Sequence, residues 1–334
     1  DYLNKKRGYN FHIRQRDKKT ARPLLLNASK SLNDYNCIQI LTIGVTFLQI
    51  YKEKPSPIQC PLLEPVLHYI QKHIVEVPLL VKLWYLSFRL LETPASHDYY
   101  RRLKQELRLH IRNIPPNDAR NFTLLLNTTL TSYTLLGRQY YLEERFDNYL
   151  IEMQEGWLTA HNIIEYKHFN NIITIALALG RIDFAESFLE NYMTYLSQNS
   201  KEDILNFNKG HIEFHKGNYS QCLSLINQAS FLDNGLTLAI KRLQAMCFYE
   251  LGEKEQFFNT ANTMKVYIHR LDDRLKTLKK GNAFFCKILL ILDKSPDRNV
   301  TNKIRIAIQA ILEEEPLIPD AEWIQKVLDR TSSR

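Results

Sequence analysis

Two histidines in this chain have a spacing that can bind a metal ion. His211 and His215 lie four residues apart with Glu213 between them, and histidines at this spacing share one face of a helix. The order HxExH differs from HExxH, so the glutamate points to another face and cannot act as the base of a metalloprotease. A third ligand such as His161 or His168 would have to come from another helix. We therefore interpret the pair as part of a solvated helix face and predict no metal site and no cofactor.

The other polar patterns do not predict catalysis. Carboxylates are adjacent at Glu143 and Glu144 and at Asp272 and Asp273. Adjacent helical residues diverge by about 100° around the axis, so neither pair forms a general acid and base by local spacing. The sequence has no glycine-rich phosphate loop and no GxSxG serine motif. It predicts a protein that is not an enzyme.

One helical face carries a run of cations. Arg101, Lys104, Arg108 and Arg112 follow one another at spacings of three, four and four residues, which predicts one side of a single helix. Four cations in this arrangement would bind an acidic peptide or a phosphate group. We predict that these four residues contact a partner.

Positive charge is concentrated at the start of the sequence. The 334 residues have a formal net charge of +8, and residues 1–22 hold eight lysines and arginines against two aspartates. The rest of the chain is nearly neutral, so its charge is not a general signature of nucleic-acid binding. We predict a partly ordered basic arm over residues 1–30. A single helical domain over residues 31–334 would follow, with residues 52–61 as a candidate seam.

Composition favours a helical protein in a reducing compartment. The chain has 10 glycines in 334 residues, which disfavours turn-rich β sandwiches and glycine-rich nucleotide folds. Its five cysteines show no CxxC spacing, which predicts reduced core thiols and a cytoplasmic location. The apolar stretches fall short of the ~20 residues that cross a bilayer, so we expect no membrane span. The sequence begins at Asp1 and shows no signal-peptide pattern.

Glycines recur between pairs of apolar helical patterns. Gly137, Gly180, Gly217 and Gly252 are separated by 43, 37 and 35 residues, a period typical of helix-turn-helix repeats. Leucine precedes three of the four, as expected where glycine supplies a left-handed helix end. The periodicity predicts helices over residues 34–51, 62–73, 77–92, 97–112, 117–136, 139–155, 159–179, 181–197, 201–216, 218–230, 235–251, 253–270, 273–293, 298–314 and 320–331.

The unit over residues 206–233 resembles the tetratricopeptide repeat (TPR). Small and apolar residues at five positions have that family's spacing: Gly210, Gly217, Cys222, Ile226 and Ala229. In the family, small residues let two antiparallel helices approach closely. The match is incomplete at three positions. Asn206 stands where tryptophan or leucine is usual, the usual tyrosine is displaced to Phe214, and no proline follows Asp233.

Residues 75–292 are also similar to a set of bacterial TPR-like proteins that carry no assigned activity. The resemblance implies an all-α fold, a right-handed α-α superhelix of about seven antiparallel helix pairs.

Repeats of this kind commonly bind other proteins, so we expect a non-enzymatic scaffold that binds a protein or peptide partner. One alternative is a helical repeat that binds nucleic acid through the basic arm and the face from Arg101 to Arg112, with steep salt dependence. A second alternative is a regulatory helical array that senses a peptide and is stabilised by it.

Overall fold

A computed structural model describes most of the chain and shows an all-helical protein, which confirms the predicted all-α class. Within the described residues it contains 15 α-helices, and one isolated parallel bridge joins Ile164 to Leu196. The described residues are 18–50, 60–93, 96–130, 138–159, 162–197, 201–230, 233–295, 300–315 and 318–330.

The chain divides into two compact units, Asp1–Tyr133 and Thr134–Arg334. The described helices of the first unit are α1 (Lys18–Ile50), α2 (Leu63–Lys72), α3 (Leu79–Glu92), α4 (His97–His110) and α5 (Pro116–Thr129). Helix α3 is the centre of this unit, because it packs against α1, α2, α4 and α5. Its side chains Leu83, Leu86 and Leu90 are fully buried, which fits a helix surrounded by others.

Helix α1 corrects the prediction for the start of the chain. A helix was expected from residue 34, but it begins at Lys18, so residues 18–30 are helical. The lysines, alanines and leucines of this segment have high helix propensity, whereas the run of charges suggested an arm. The remainder of the predicted arm, residues 1–17, and most of the candidate seam at residues 52–61 lie outside the described residues.

The second unit has ten described helices. They are α6 (Arg138–Gln154), α7 (Tyr166–Ala178), α8 (Ile182–Tyr192), α9 (Lys201–His215), α10 (Tyr219–Ile226), α11 (Asn234–Leu251), α12 (Lys254–Arg270), α13 (Lys276–Leu292), α14 (Asn302–Glu314) and α15 (Ala321–Arg330).

Helices of the second unit pack in two layers. Each helix from α6 to α13 contacts the next one along the chain. In addition α7 contacts α9, α9 contacts α11, and α11 contacts α13. These four alternate helices therefore lie side by side as one layer, with α8, α10 and α12 behind it. We call the surface of this layer that faces away from α8, α10 and α12 the inner face.

The recurring glycines end helices as the sequence predicts. Gly180 and Gly252 have φ angles of 72° and 79°, in the left-handed region that glycine adopts without a steric penalty. After Gly180, the N–H of Arg181 donates to the carbonyl of Ala176 at 2.8 Å. The bond from Glu253 to Phe248 after Gly252 is equivalent, at 3.0 Å. These bonds define Schellman ends and turn the chain directly into the next helix. Gly137, the first of the series, lies outside the described residues.

Gly210 brings α9 and α10 into close contact, as the repeat pattern predicts. A β-carbon placed on Gly210 would lie 2.6 Å from Cγ2 of Ile226 and 3.3 Å from the carbonyl oxygen of Cys222. Both neighbours belong to α10, and both are fully buried. The absence of a side chain at residue 210 therefore sets the distance between these two helices.

Candidate functional site

The predicted cationic face is interrupted in the structure. Arg101 and Arg108 are exposed on α4, but Lys104 is only 7% exposed. Helix α4 ends at His110, so Arg112 lies in the following 3₁₀ turn rather than on the same helix. Arg101 also lies 3.5 Å from the carboxylate of Asp98 in the first turn of α4. The four cations do not form one continuous exposed row, and their contact with a partner stays a prediction.

His211 and His215 lie inside the protein rather than on a solvated helix face, so that interpretation was wrong. His211 is 6% exposed and His215 is partly buried, with ring centroids 5.3 Å apart. Glu213 points elsewhere, as predicted, and accepts a hydrogen bond from Asn218 at 2.7 Å. His168, suggested as a third ligand, pairs with Glu152 at 2.7 Å. His161 is outside the described residues, within which no group of three metal-ligating side chains occurs.

The two histidines line a cavity of about 110 Å³ on the inner face, which we call the covered cavity. Helix α15 and the residues before it cover this cavity, contributing Asp320, Glu322 and Trp323. Burial lowers the pKa of His211 to about 4, with nearby Asp320 opposing and Arg242 adding to the shift. Burial and the neighbouring His211 lower the pKa of His215 to about 3. Both imidazoles are therefore neutral at pH 7.

A larger cleft of about 700 Å³ opens beside the covered cavity, and we call it the open cleft. All four helices of the inner layer contribute to it, together with Pro319. Three of these helices contribute polar side chains to a lining that is otherwise largely apolar: Lys167, Asn170, Asn171 and Thr174 from α7, Asn234 and Arg242 from α11, and Thr277 and Asn282 from α13. Its volume falls in the range of small-molecule and peptide sites.

Asn170, one of the residues that line the open cleft, is paired with a second buried amide, Asn208. Nδ2 of Asn208 donates to Oδ1 of Asn170 at 2.5 Å and to the carbonyl of Ile204 at 2.8 Å. Asn170 is 5% exposed, and its own Nδ2 has no hydrogen-bond partner among the described residues. A buried donor without a partner is destabilising, so such a group calls for an explanation, and a bound water or ion is one of them. Asn170 lines the cleft, and its unpartnered Nδ2 is buried beneath the cleft surface.

Arg242 lies where the open cleft meets the covered cavity and lines both. Its Nε donates to Oδ2 of Asp320 at 2.6 Å, and its Nη1 donates to Oδ1 of Asn282 at 2.8 Å. Asn282 in turn donates to the carbonyl of Leu278 at 2.8 Å. These contacts hold the guanidinium in one orientation, and the side chain keeps only 14% of its surface exposed.

The rim of the open cleft carries a pair of opposite charges. Nζ of Lys167 lies 3.4 Å from Asp233, which also caps α11 by accepting from the N–H groups of Gly235 and Leu236. Partial burial raises the pKa of Asp233, but the N–H of Leu236 and the charge of Lys167 outweigh burial and leave the pKa below its ordinary value. The cleft thus combines balanced charge with several carboxamides.

The two cavities differ in size and in the hydrogen bonds that they can offer a ligand. The covered cavity is smaller than the roughly 300 Å³ of an ordinary small-molecule site, and its histidines are neutral. In the open cleft, carboxamides each offer one donor group and one acceptor. The sequence analysis missed these residues, although Asn170, Thr174 and Ala178 follow the helical spacing of one face.

None of the helices in the described ranges combines the length and the hydropathy needed to cross a membrane. All five cysteines are free thiols, and four of them are buried. Comparisons of the chain with protein-family models, with curated proteins and with solved structures find no match.

Proposed function

We propose that this chain is a non-enzymatic scaffold that binds an extended segment of a protein or peptide partner in the open cleft. Asn170, which lines a cleft of about 700 Å³ and whose buried Nδ2 has no hydrogen-bond partner among the described residues, carries this proposal. An extended polypeptide presents alternating N–H and C=O groups, and a carboxamide side chain can pair with both. Balanced charge at Lys167 and Asp233 favours a backbone ligand over a polyanion.

The helix arrangement of the second unit supports a TPR-like right-handed superhelix. Its alternate helices share one layer, its helix pairs turn at Schellman glycines, and Gly210 permits a close pair. Such repeats present one face of the layer to partners. About seven pairs for the whole chain and a cytoplasmic location remain predictions from the sequence, and buried free thiols fit a reducing compartment.

The test is selection from a displayed library of random 12-residue peptides, followed by calorimetry with the enriched peptides. Asn171 is exposed on the wall of the open cleft, so Asn171→Trp should fill the cleft without disturbing the core. We expect Asn171→Trp and Asn170→Ala each to weaken peptide binding at least about 10-fold, which corresponds to about 1.4 kcal/mol.

Gln221→Trp provides the matched control, because residue 221 is exposed on α10 in the outer layer. This variant should bind the selected peptides as the unchanged chain does. Equal affinity of all three variants, or a library that yields no binding peptide, would count against the proposal.

A further inference from the structure

Helix α15 occupies the inner face next to the open cleft. Its apolar side has four buried side chains, Trp323, Ile324, Val327 and Leu328. The indole of Trp323 packs edge-on against Tyr249, with ring centroids 5.5 Å apart, and its Nε1 donates to Glu250 at 2.8 Å. Arg330, at the other end of α15, donates to Glu250 at 2.6 Å. One carboxylate of α11 therefore holds both ends of α15.

The attachment of α15 begins at a residue with an unusual backbone conformation. Asp320 precedes the helix with a φ of 54°, in the left-handed region that non-glycine residues rarely adopt. Its carboxylate accepts the 2.6 Å hydrogen bond from Arg242. Asp320 therefore keeps this conformation while it is paired with a side chain that also lines the open cleft. Aspartate adopts this region more readily than most residues, and such conformations cluster at active sites, ligand clamps and switch regions.

The covered cavity lies beneath α15, and we call the surface that α15 packs against there its seat. This seat contains the two neutral histidines, His211 and His215. The charged groups that face them are Arg242 from α11 and Asp320, Glu322 and Lys326 from α15 and the residue before it. Helices α6 and α7 contribute uncharged side chains to the covered cavity. Nδ1 of His211 has no hydrogen-bond partner within the described residues. Neither imidazole can gain a proton in this seat without bringing a cation into a largely closed space.

We propose that α15 is a displaceable segment that occupies part of the partner-binding face, and that protonation of His211 and His215 weakens its seat and releases it. This inference rests on the proposed function, since release of α15 would join the covered cavity to the open cleft and lengthen the surface that a partner can contact. Release would also expose both imidazoles to water and free Arg242 from Asp320.

The size of the effect follows from proton linkage. A histidine exposed by release of α15 would recover a pKa near 6.5, against about 4 and about 3 for His211 and His215 in the closed state. Because the open state then binds protons more tightly, acid favours opening. At pH 5 each histidine would raise the opening equilibrium about 30-fold relative to pH 8. This rise begins as the pH falls below about 6.5.

Amide hydrogen exchange of the full chain, without any peptide, tests this inference. Protection factors of α15 would be measured at pH 7.5 and pH 5.0, corrected for intrinsic exchange, with α13 as an internal reference. Because the effects of the two histidines multiply, we expect protection of α15 to fall on the order of several hundred-fold at pH 5.0 while α13 changes much less. The double variant His211→Gln/His215→Gln, which cannot be protonated at these positions, should lose this difference.

Two further variants keep the result interpretable. His269 is exposed on α12, so His269→Gln should retain the full pH effect. The single variant His215→Gln changes the less buried histidine. It should retain about half of the loss of α15 protection between pH 7.5 and pH 5.0, measured on a logarithmic scale. Unchanged protection of α15 in acid, a parallel loss in α13, or a pH effect that survives in the double variant would overturn the inference. None of these results depends on whether the open cleft binds a peptide.

Discussion

At the scale of single residues, one missing side chain determines how closely α9 and α10 pack. A methyl group at position 210 would lie 2.6 Å from Ile226 and near the backbone of Cys222, which cannot move without shifting α10. Gly210→Ala should therefore lower the free energy of unfolding by about 1–3 kcal/mol, even though alanine has the higher helix propensity by about 1 kcal/mol. Urea denaturation followed by circular dichroism measures this change.

The control for this substitution is Ser224→Ala. Ser224 is exposed on α10, so its removal should change the stability by less than about 0.5 kcal/mol. If Gly210→Ala proved as stable as the unchanged chain, the close approach of α9 and α10 would not be real.

The residues of the inner face show where sequence reasoning reaches its limit. That His211 and His215 share one helix face follows from their spacing of four residues, which the sequence contains. Their burial depends on α15, and the ion pair beside them joins residues that are 78 positions apart. Local periodicity does not report which distant segment will cover a helix face, so a solvated face was the natural expectation.

At the scale of helices, the glycine ends determine the direction of each following helix. Gly252 has a φ of 79°, so Gly252→Ala should lower the free energy of unfolding by about 1–2 kcal/mol through backbone strain. Gly252→Asn serves as the comparison, because asparagine tolerates the left-handed region better. In thermal unfolding, the melting temperature of Gly252→Asn should lie between those of the unchanged chain and Gly252→Ala. A lower melting temperature for Gly252→Asn than for Gly252→Ala would contradict the backbone argument.

Most helices were predictable because their signals are local. Apolar stripes at helical spacing, glycines at the ends and prolines at the breaks act within a few residues. The helix ends were less accurate: the predicted helix 181–197 ends at Tyr192, and the predicted helix 159–179 begins at Tyr166. In both cases the predicted α-helix is replaced in part by a 3₁₀ turn, at Trp157–Thr159 and at Met193–Tyr195, next to the bridge between Ile164 and Leu196. That bridge joins two loops distant in sequence, which no local pattern reveals.

At the scale of the whole molecule, the second unit should fold by itself. The described part of residues 134–334 holds two hydrophobic core clusters, which together extend from α6 to α15. A chain restricted to these residues should unfold in one cooperative transition. Gly210→Ala should lower the denaturant midpoint of this transition as it does in the full chain. Circular dichroism with denaturant tests both points. A fragment with helical signal but no cooperative transition would show that this core needs the first unit.

The central claim is that the open cleft holds an extended partner segment, and mapping the position of a bound peptide tests it most directly. A peptide selected as described above would carry a benzophenone at its middle residue, and mass spectrometry would identify the crosslinked residues after irradiation. We predict crosslinks to the walls of the open cleft, at Asn171 and Thr174 on one side and Thr277 and Gly281 on the other. Crosslinks confined to the exposed face of α4, around Arg101 and Arg108, would contradict the claim and identify the cationic residues as the binding surface.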